Sequence, residues 1–257
     1  MSKISMVAVT WNYEDSFPIE ETPLYPSFKK NNPEEEFVHI HFNRNNYSEL
    51  EKEFAKRFER EYHFHLYKIK LLGDKIKESV KTEYLIVADA TDVVCMNKVD
   101  NLINCFDLEE HVIACQEKNT WPTPEHKKHW PDYDDYNEHD KFNKTFLNSG
   151  MLLAKKEKFI ELLDSMIENV LSTDCKYFHN CQGSYTYYYN KRFKPLIKLD
   201  YSRIFTLNTF TRSTDDCYLD KNNKIVIKET GVRPCFVHDN GWNHGSPKYM
   251  LFFNLKG

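Results

Sequence analysis

Residues 85–94 read LIVADATDVV, an apolar run that ends by presenting two carboxylates, Asp89 and Asp92, three positions apart. Its first half has the composition of a strand buried on both faces, as in the middle of an α/β sheet. Ligands of such sheets bind beyond the carboxyl ends of the strands, which is where the two acids stand. Carboxylates held together away from water disfavour each other's ionisation unless a cation lies between them, and a divalent metal is the simplest remedy. The same two residues also suit a turn and a helix N-cap, both common places for Asp.

Working outward, strand-like and helix-like stretches alternate. KISMVAVTW (3–11) and FVHIHF (37–42) are short β-branched or aromatic runs, expected as the first two strands. Between them FPIEETPLYPSFKKNNPEEE, polar and rich in proline, is expected as a long loop. Ser48 and Glu51 have capping-box spacing, and Leu50, Phe54, Phe58 and Tyr62 recur every four residues, which predicts a helix. Leu66, Ile69, Leu72, Ile76 and Val80 predict a second helix leading into 85–94. HVIAC (111–115) predicts a strand, and KFIELLDSMIENVLS (158–172) an amphipathic helix with Phe159, Leu162, Leu163, Met166 and Val170 on its apolar face. LIKLD, IFTL, KIVIKE and CFVHD supply further short strands. The alternation predicts a Rossmann-like α/β fold. No Gly/Ser linker, repeat or low-complexity segment divides it, so residues 1–257 are expected to form one domain.

Composition narrows the function. A chain of 257 residues, 40% hydrophobic and 15% aromatic, has enough apolar material for a sizeable core. A net charge of -4 leaves no basic surplus to neutralise phosphates along a duplex, which argues against a nucleic-acid binder. Seven cysteines without a CxxC pair suggest neither a disulfide framework nor a zinc ribbon, and read as reduced, mostly buried thiols. No run approaches the about 20 apolar residues of a membrane span, and the N-terminal apolar stretch is too short for a secretory signal. A soluble, cytoplasmic protein without membrane contact is therefore expected. Neither GxGxxG nor GxxxxGK[ST] occurs, which sets aside dehydrogenase and P-loop chemistry.

The acids gain company at other strand ends. The apolar CFV delivers His238, followed by Asp239, Asn240 and Gly241. An imidazole completes a metal shell that two carboxylates begin, and Gly241 lets the backbone approach a ligand. Asn-Gly is equally the strongest hairpin dipeptide. FLNSGMLLAKKEKFIELL places Asn148, Ser149 and Gly150 immediately before a strand-and-helix unit, as small polar groups beside a flexible backbone. The pairs His39 with His41 and His63 with His65 are expected as packing or surface residues. His126, His129 and His139 lack the nearby cysteines and tight spacing of a zinc site.

In their order and spacing, ADATDVV, FLNSGMLLA, CQGSYTYYY and PCFVHDNG resemble the glycosyltransferase domain of the procollagen lysyl hydroxylases and related GT-A enzymes. The resemblance runs over nearly the whole chain, from VAVTWN to HDNG. It implies a GT-A fold, that is, a Rossmann-like mixed sheet flanked by helices, with a UDP-sugar donor and a Mn²⁺ ion. It places the metal ligands at Asp89, Asp92 and His238, a threonine beside the nucleotide at Thr10, and a helical lysine at Lys68. Thr91, Asn148, Ser149, Gly241 and Lys248 join these as candidate donor-binding residues. Two departures stand out. Ala90 and Thr91 occupy the place of an aromatic that in the family stacks on uracil, so base recognition must differ. DCKYFHNCQG (174–183) carries Asn180 and Cys181 where the family has aspartates. Asp174 is the nearby carboxylate, so Asp174, Asn180 and Cys181 are the candidate catalytic, acceptor-side residues. Trp121 joins them from the aromatic and acidic stretch 119–140.

The activity this implies is transfer of glucose or galactose from UDP to a hydroxyl, on a hydroxylysine-type acceptor of a collagen-like protein or on a glycan. Breaking the sugar–diphosphate bond leaves negative charge on UDP, which a cation held by Asp89, Asp92 and His238 would neutralise. Mn²⁺ suits a mixed carboxylate, imidazole and phosphate shell. Two alternatives stand beside it. A nucleotide-sugar or phosphoester hydrolase would use the same metal to activate water, and a catalytically silent GT-A module would explain Asn180 and Cys181.

Overall fold

A computed structural model of the chain describes residues 3–12, 14, 16–43, 63–117, 146–172, 185, 196–209 and 214–239. In chain order the elements are β1 (Ile4–Asn12), α1 (Leu24–Asn31), β2 (Glu36–Asn43), α2 (His63–Ser79), β3 (Tyr84–Asp89), β4 (Val93–Cys95) and β5 (Val112–Glu117). There follow β6 (Phe146–Lys155), α3 (Lys156–Ser172), β7 (Ile197–Leu199), β8 (Thr206–Asn208), β9 (Cys217–Leu219), β10 (Ile225–Ile227) and β11 (Phe236–His238). The helix expected over 48–62 lies outside the described residues.

Six strands form a central sheet in the order β2-β1-β3-β6-β5-β7. β1 runs parallel to β2 and β3, and β5 parallel to β7, while β6 runs antiparallel to both β3 and β5. The sheet is therefore mixed, as the resemblance implied. Strand alternation splits its side chains into two layers. Val7 and Val9 of β1 pack with Ile69, Leu72 and Ile76 of α2 and Phe159, Leu162, Leu163 and Met166 of α3. These belong to the stripes that the helical periodicity predicts; the side chains of Leu66 and Val170 lie outside the described residues. Gly73 brings α2 close to α3, since a Cβ there would sit 3.5 Å from Leu163 Cδ1. On the other face Ile4, Met6 and Ala8 pack against Leu24 and Phe28 of α1 and against Val93, Cys95 and Phe236. Phe159 and Phe205 are fully buried, one in each layer, and truncating either to alanine would cost about 3–5 kcal/mol.

That second layer includes a small sheet, ordered β4-β11-β8, with β11 antiparallel to β4 and parallel to β8. The run 85–94 is thus not one strand. β3 belongs to the central sheet and β4 to the small one, so residues 90–92 carry the chain from one sheet to the other. Ala90, fully buried, remains tied to the central sheet through its N–H, which donates to Val9 O at 3.0 Å. The β9–β10 hairpin covers the outer side of the small sheet, where Cys217, Ile225 and Ile227 meet Val94, Leu207 and Val237.

The proline-rich stretch expected as a loop contains α1. Pro23 precedes the helix and Pro26 falls in its first turn, where a missing N–H breaks no intrahelical bond. Leu24 and Phe28, four apart, anchor it in the core. Among the described cysteines, Cys95, Cys115, Cys217 and Cys235 are buried, Cys105 is exposed, and all are free thiols. No helix of the described residues is long and apolar enough to cross a membrane.

Asp200, between β7 and β8, joins the two sheets. Its side chain is fully buried and accepts hydrogen bonds from Phe205 N (2.8 Å), Thr206 N (3.1 Å) and Ser202 Oγ (2.6 Å). Its carbonyl accepts from Gln116 Nε2 at 2.9 Å. Burial raises the carboxyl above its ordinary pKa, and the hydrogen bonds from Ser202, Thr206 and Phe205 oppose that shift. Removing the carboxylate would strand two buried N–H groups. Asp200→Ala should therefore lower the unfolding free energy by about 2–3 kcal/mol in urea titrations, and Asp200→Asn, which keeps an acceptor, by less.

Candidate metal and donor site

The site lies where the two sheets meet, at the carboxyl ends of β3 and β11 and the amino end of β4. Asp89 is the last residue of β3, Asp92 stands just before β4, and His238 is the last residue of β11. Antiparallel register pairs Val93 with His238, and the backbone continues that pairing, because Asp239 N donates to Asp92 O at 2.8 Å. His238 and Asp92 are adjacent for this reason. One ligand atom from each of Asp89, Asp92 and His238 lies within 4.8 Å of the others. His238 Nε2 is 3.3 Å from Asp92 Oδ1, and Lys68 Nζ is 3.9 Å from Asp89 Oδ1.

Gly150 closes the triad from the side. Asn148, Ser149 and Gly150, expected just before a strand, lie within β6 itself, at an irregularity in its pairing with β5. Ala114 pairs with Leu152, whereas the next residue, Cys115, pairs with Asn148. Residues 149–151 therefore bulge out of the ladder. A Cβ on Gly150 would overlap His238 Cε1 and approach His238 Nε2 to 2.9 Å and Asp89 Oδ2 to 3.0 Å. Only glycine fits here. Asn148 holds the bulge: its Oδ1 accepts from Gly150 N at 2.8 Å and from Cys115 Sγ at 3.2 Å, and its Nδ2 donates to Glu117 Oε2 at 3.0 Å.

The electrostatics suit a cation. Burial raises the Asp89 carboxyl pKa; Lys68 opposes this, Asp92 adds to it and His238 opposes it, leaving a net rise. Burial pulls the His238 pKa down, but Asp92 and then Cys115 outweigh it and hold the imidazole well above its ordinary value. Asp92 Oδ1 and both ring nitrogens of His238 are nonetheless buried without hydrogen bonds. A divalent cation would satisfy them with a carboxylate and imidazole donor set, so the residues fit a metal.

Beside the triad, a cleft is lined by Val9, Lys68, Leu72, Asp89, Ser149, Gly150, Leu152 and Tyr185 among others. Of the residues expected to bind the donor, Lys68 and Ser149 line it, while Asn148 supports it from behind. Thr91 is exposed on the turn between the acids. Thr10 is placed differently. It alternates with Val9 onto the opposite face, where Oγ1 is hydrogen-bonded to His39 Nε2 at 2.7 Å and His41 Nδ1 at 2.9 Å. His41 Nε2 reaches Glu14 O at 2.9 Å. His39 and His41 thus form a network with Thr10. Trp121, Asp174, Asn180, Cys181, Gly241 and Lys248 lie outside the described residues, as do His126, His129, His139 and the side chains of His63 and His65. Glu117 falls in the strand-end stretch 116–121, which the sequence marks as a place for ligands without giving Glu117 a role. It is 5% exposed, ends β5 and bonds Asn148.

The architecture is that of the GT-A glycosyltransferases. It is similar to a glycosyltransferase involved in the glycosylation of the major capsid of PBCV-1, with TM-score 0.55 over 98% of this chain and 99% of that one, at 11% identity. An active-site mutant of LgtC superimposes with TM-score 0.52 over 92% of this chain and 87% of that one, at 12% identity. The glycosyltransferase GlyE of Streptococcus pneumoniae gives TM-score 0.52 over 100% of this chain and 61% of that one, at 11% identity. At such identities the likeness shows the fold alone. The family described as the PLOD GT domain, the glycosyltransferase domain of the procollagen lysyl hydroxylases, matches residues 56–250, and the chain belongs to it. The protein is a glycosyltransferase. A sequence comparison with curated proteins finds no match.

Gly150→Ala should weaken divalent-cation binding at least about tenfold by calorimetry, because the buried His238 ring must move to admit the methyl; the metal-free protein should lose about 1–3 kcal/mol of stability. A second expectation concerns acid. Burial first, then His41, lowers the His39 pKa from 6.5, with Glu20 opposing. The unfolded chain therefore binds this proton more readily than the folded one. Stability from this group is complete above pH 6.5 and is lost as pH falls below it. Urea midpoints measured downward from pH 7 should fall more steeply for the wild type than for His39→Gln.

Proposed function

We propose that this glycosyltransferase moves a hexose, glucose or galactose, from a UDP-sugar to a hydroxyl acceptor and uses Mn²⁺. The observation that carries the reading is the triad of Asp89, Asp92 and His238, in which Asp92 Oδ1 and the His238 ring nitrogens are buried without hydrogen bonds, beside a cleft that also contains Lys68. These three residues would hold the ion, which supplies Lewis acidity and neutralises charge on the departing diphosphate.

The chain's own residues do the rest. Lys68 brings a second positive charge to the diphosphate side of the cleft, within 3.9 Å of Asp89. Leu72, Leu152 and Tyr185 wall off water from the donor sugar, and Ser149 offers a hydroxyl to it. Gly150 lets β6 pack directly against His238 and Asp89, and Glu117 keeps Asn148, and through it the bulge, in place. Thr91, Gly241 and Lys248 are proposed as further donor contacts. Trp121, Asp174, Asn180 and Cys181 are proposed on the acceptor side, with residues 1–257 acting as one domain. The acceptor is a hydroxylysine-type side chain of a collagen-like protein or a glycan.

UDP should raise the melting temperature with Mn²⁺ present and by much less without it. Asp92→Ala should abolish the metal-dependent part while the protein stays folded, and should lower kcat/KM by about 10³ or more. Product analysis with UDP-glucose and UDP-galactose, with and without acceptor, completes the test. Free hexose as the sole product would favour a hydrolase, and no turnover despite UDP binding a silent module. Failure of UDP to stabilise the protein with any divalent metal would overturn the proposal.

A further inference from the structure

We infer that Trp11 is the platform on which the base of the nucleoside diphosphate stacks. The inference rests on the donor reading above and adds the residue that recognises the base. β1 keeps an unbroken register with β2, from Ser5 opposite Glu36 to Asn12 opposite Asn43. Its side chains therefore alternate to the end of the strand, and Trp11 shares a face with Val9. Val9 lines the cleft beside Lys68 and Asp89, and pairs with Asp89 across the ladder. Trp11 stands two residues further out on that face, about 7 Å at the usual rise of a strand. The ribose of a nucleoside diphosphate bridges such a gap when its phosphates sit at the acids.

Exposure follows the same axis. Val9 is 3% exposed and Trp11 41%. Single exposed hydrophobic residues are ordinary, so placement carries the argument. The other large exposed hydrophobics among the described residues are Tyr201, in the turn after β7, and Tyr218, on β9. Neither ends a strand beside the acids. Ala90 and Thr91, between the acids, have no ring to offer, and Ala90 is buried with its N–H bound to Val9 O. Thr10 fixes the direction of its neighbour. It is 1% exposed on the opposite face and held by two histidines, so the end of β1 cannot rotate to bury the indole. A flat, partly exposed indole on this edge offers a face to a planar base, which stacks without needing a particular hydrogen-bond pattern.

The test compares two ligands on the full chain, UDP and inorganic pyrophosphate, each with Mn²⁺, by calorimetry. Pyrophosphate reports the metal and the phosphate contacts and has no base. Trp11→Ala should weaken UDP binding about tenfold to a hundredfold and leave pyrophosphate unchanged, and Trp11→Phe should recover most of the loss. Unchanged UDP affinity in Trp11→Ala would overturn this inference alone, leaving the donor reading intact. Equal losses for both ligands would also overturn it, since they mark a structural role. A wild-type protein that binds pyrophosphate but gains nothing from the uridine would overturn the base platform together with the choice of UDP.

Discussion

The antiparallel pairing of Val93 with His238 is the constraint on which the site depends. It sets His238 beside Asp92, and the adjoining bond from Asp239 N to Asp92 O prevents a slip of register. A slip of one residue would turn His238 to the other face of the small sheet and leave two acids without their third partner. Packing enforces the pairing from both sides. Val93 and Phe236 belong to the core against the central sheet, while Val94 and Val237 belong to the core under the hairpin. The ligand geometry is thereby a consequence of burying four hydrophobic side chains.

The triad works against stability, as functional sites commonly do. Buried ligand atoms without hydrogen bonds, and a carboxyl pushed toward its neutral form, are tolerated because the surroundings are over-determined. Gly150 makes the close approach possible. The bulge that carries it is fastened by Asn148, which uses both ends of its amide, to Gly150 and Cys115 on one side and to Glu117 on the other. Substitutions at Asn148 or Glu117 therefore act on the site without touching its ligand atoms. Thr10, His39 and His41 play a comparable part across the sheet, where a chain of hydrogen bonds ending at Glu14 O fastens the segment after β1.

How much of this was legible depends on the range of the interaction. The strands β1, β2 and β5 and the stripe of α3 were readable because alternation and 3.6-residue periodicity are written within a few turns or residues. α1 was missed because prolines dominate its composition, although Pro26 sits where proline costs a helix nothing. Asp89, Asp92 and His238 were readable as a set through the chemistry of strand ends and a family likeness. Glu117 stands in a strand-end stretch that the sequence also marks, but its hold on Asn148 depends on the pairing of β5 with β6.

By itself, then, the sequence determined most of the strands and the amphipathic helices, which side chains carry carboxylate and imidazole donors, and which family the chain resembles. These follow from local periodicity, residue type and motif order. The tertiary structure alone decided that LIVADATDVV divides between two sheets, that Asn148 to Gly150 bulge within a strand, and that Thr10 faces away from the cleft while Trp11 shares the face of Val9. Each of these is a matter of register between strands distant in the chain. Register is chosen by which pairing buries both hydrophobic layers at once, and no window of sequence contains that comparison.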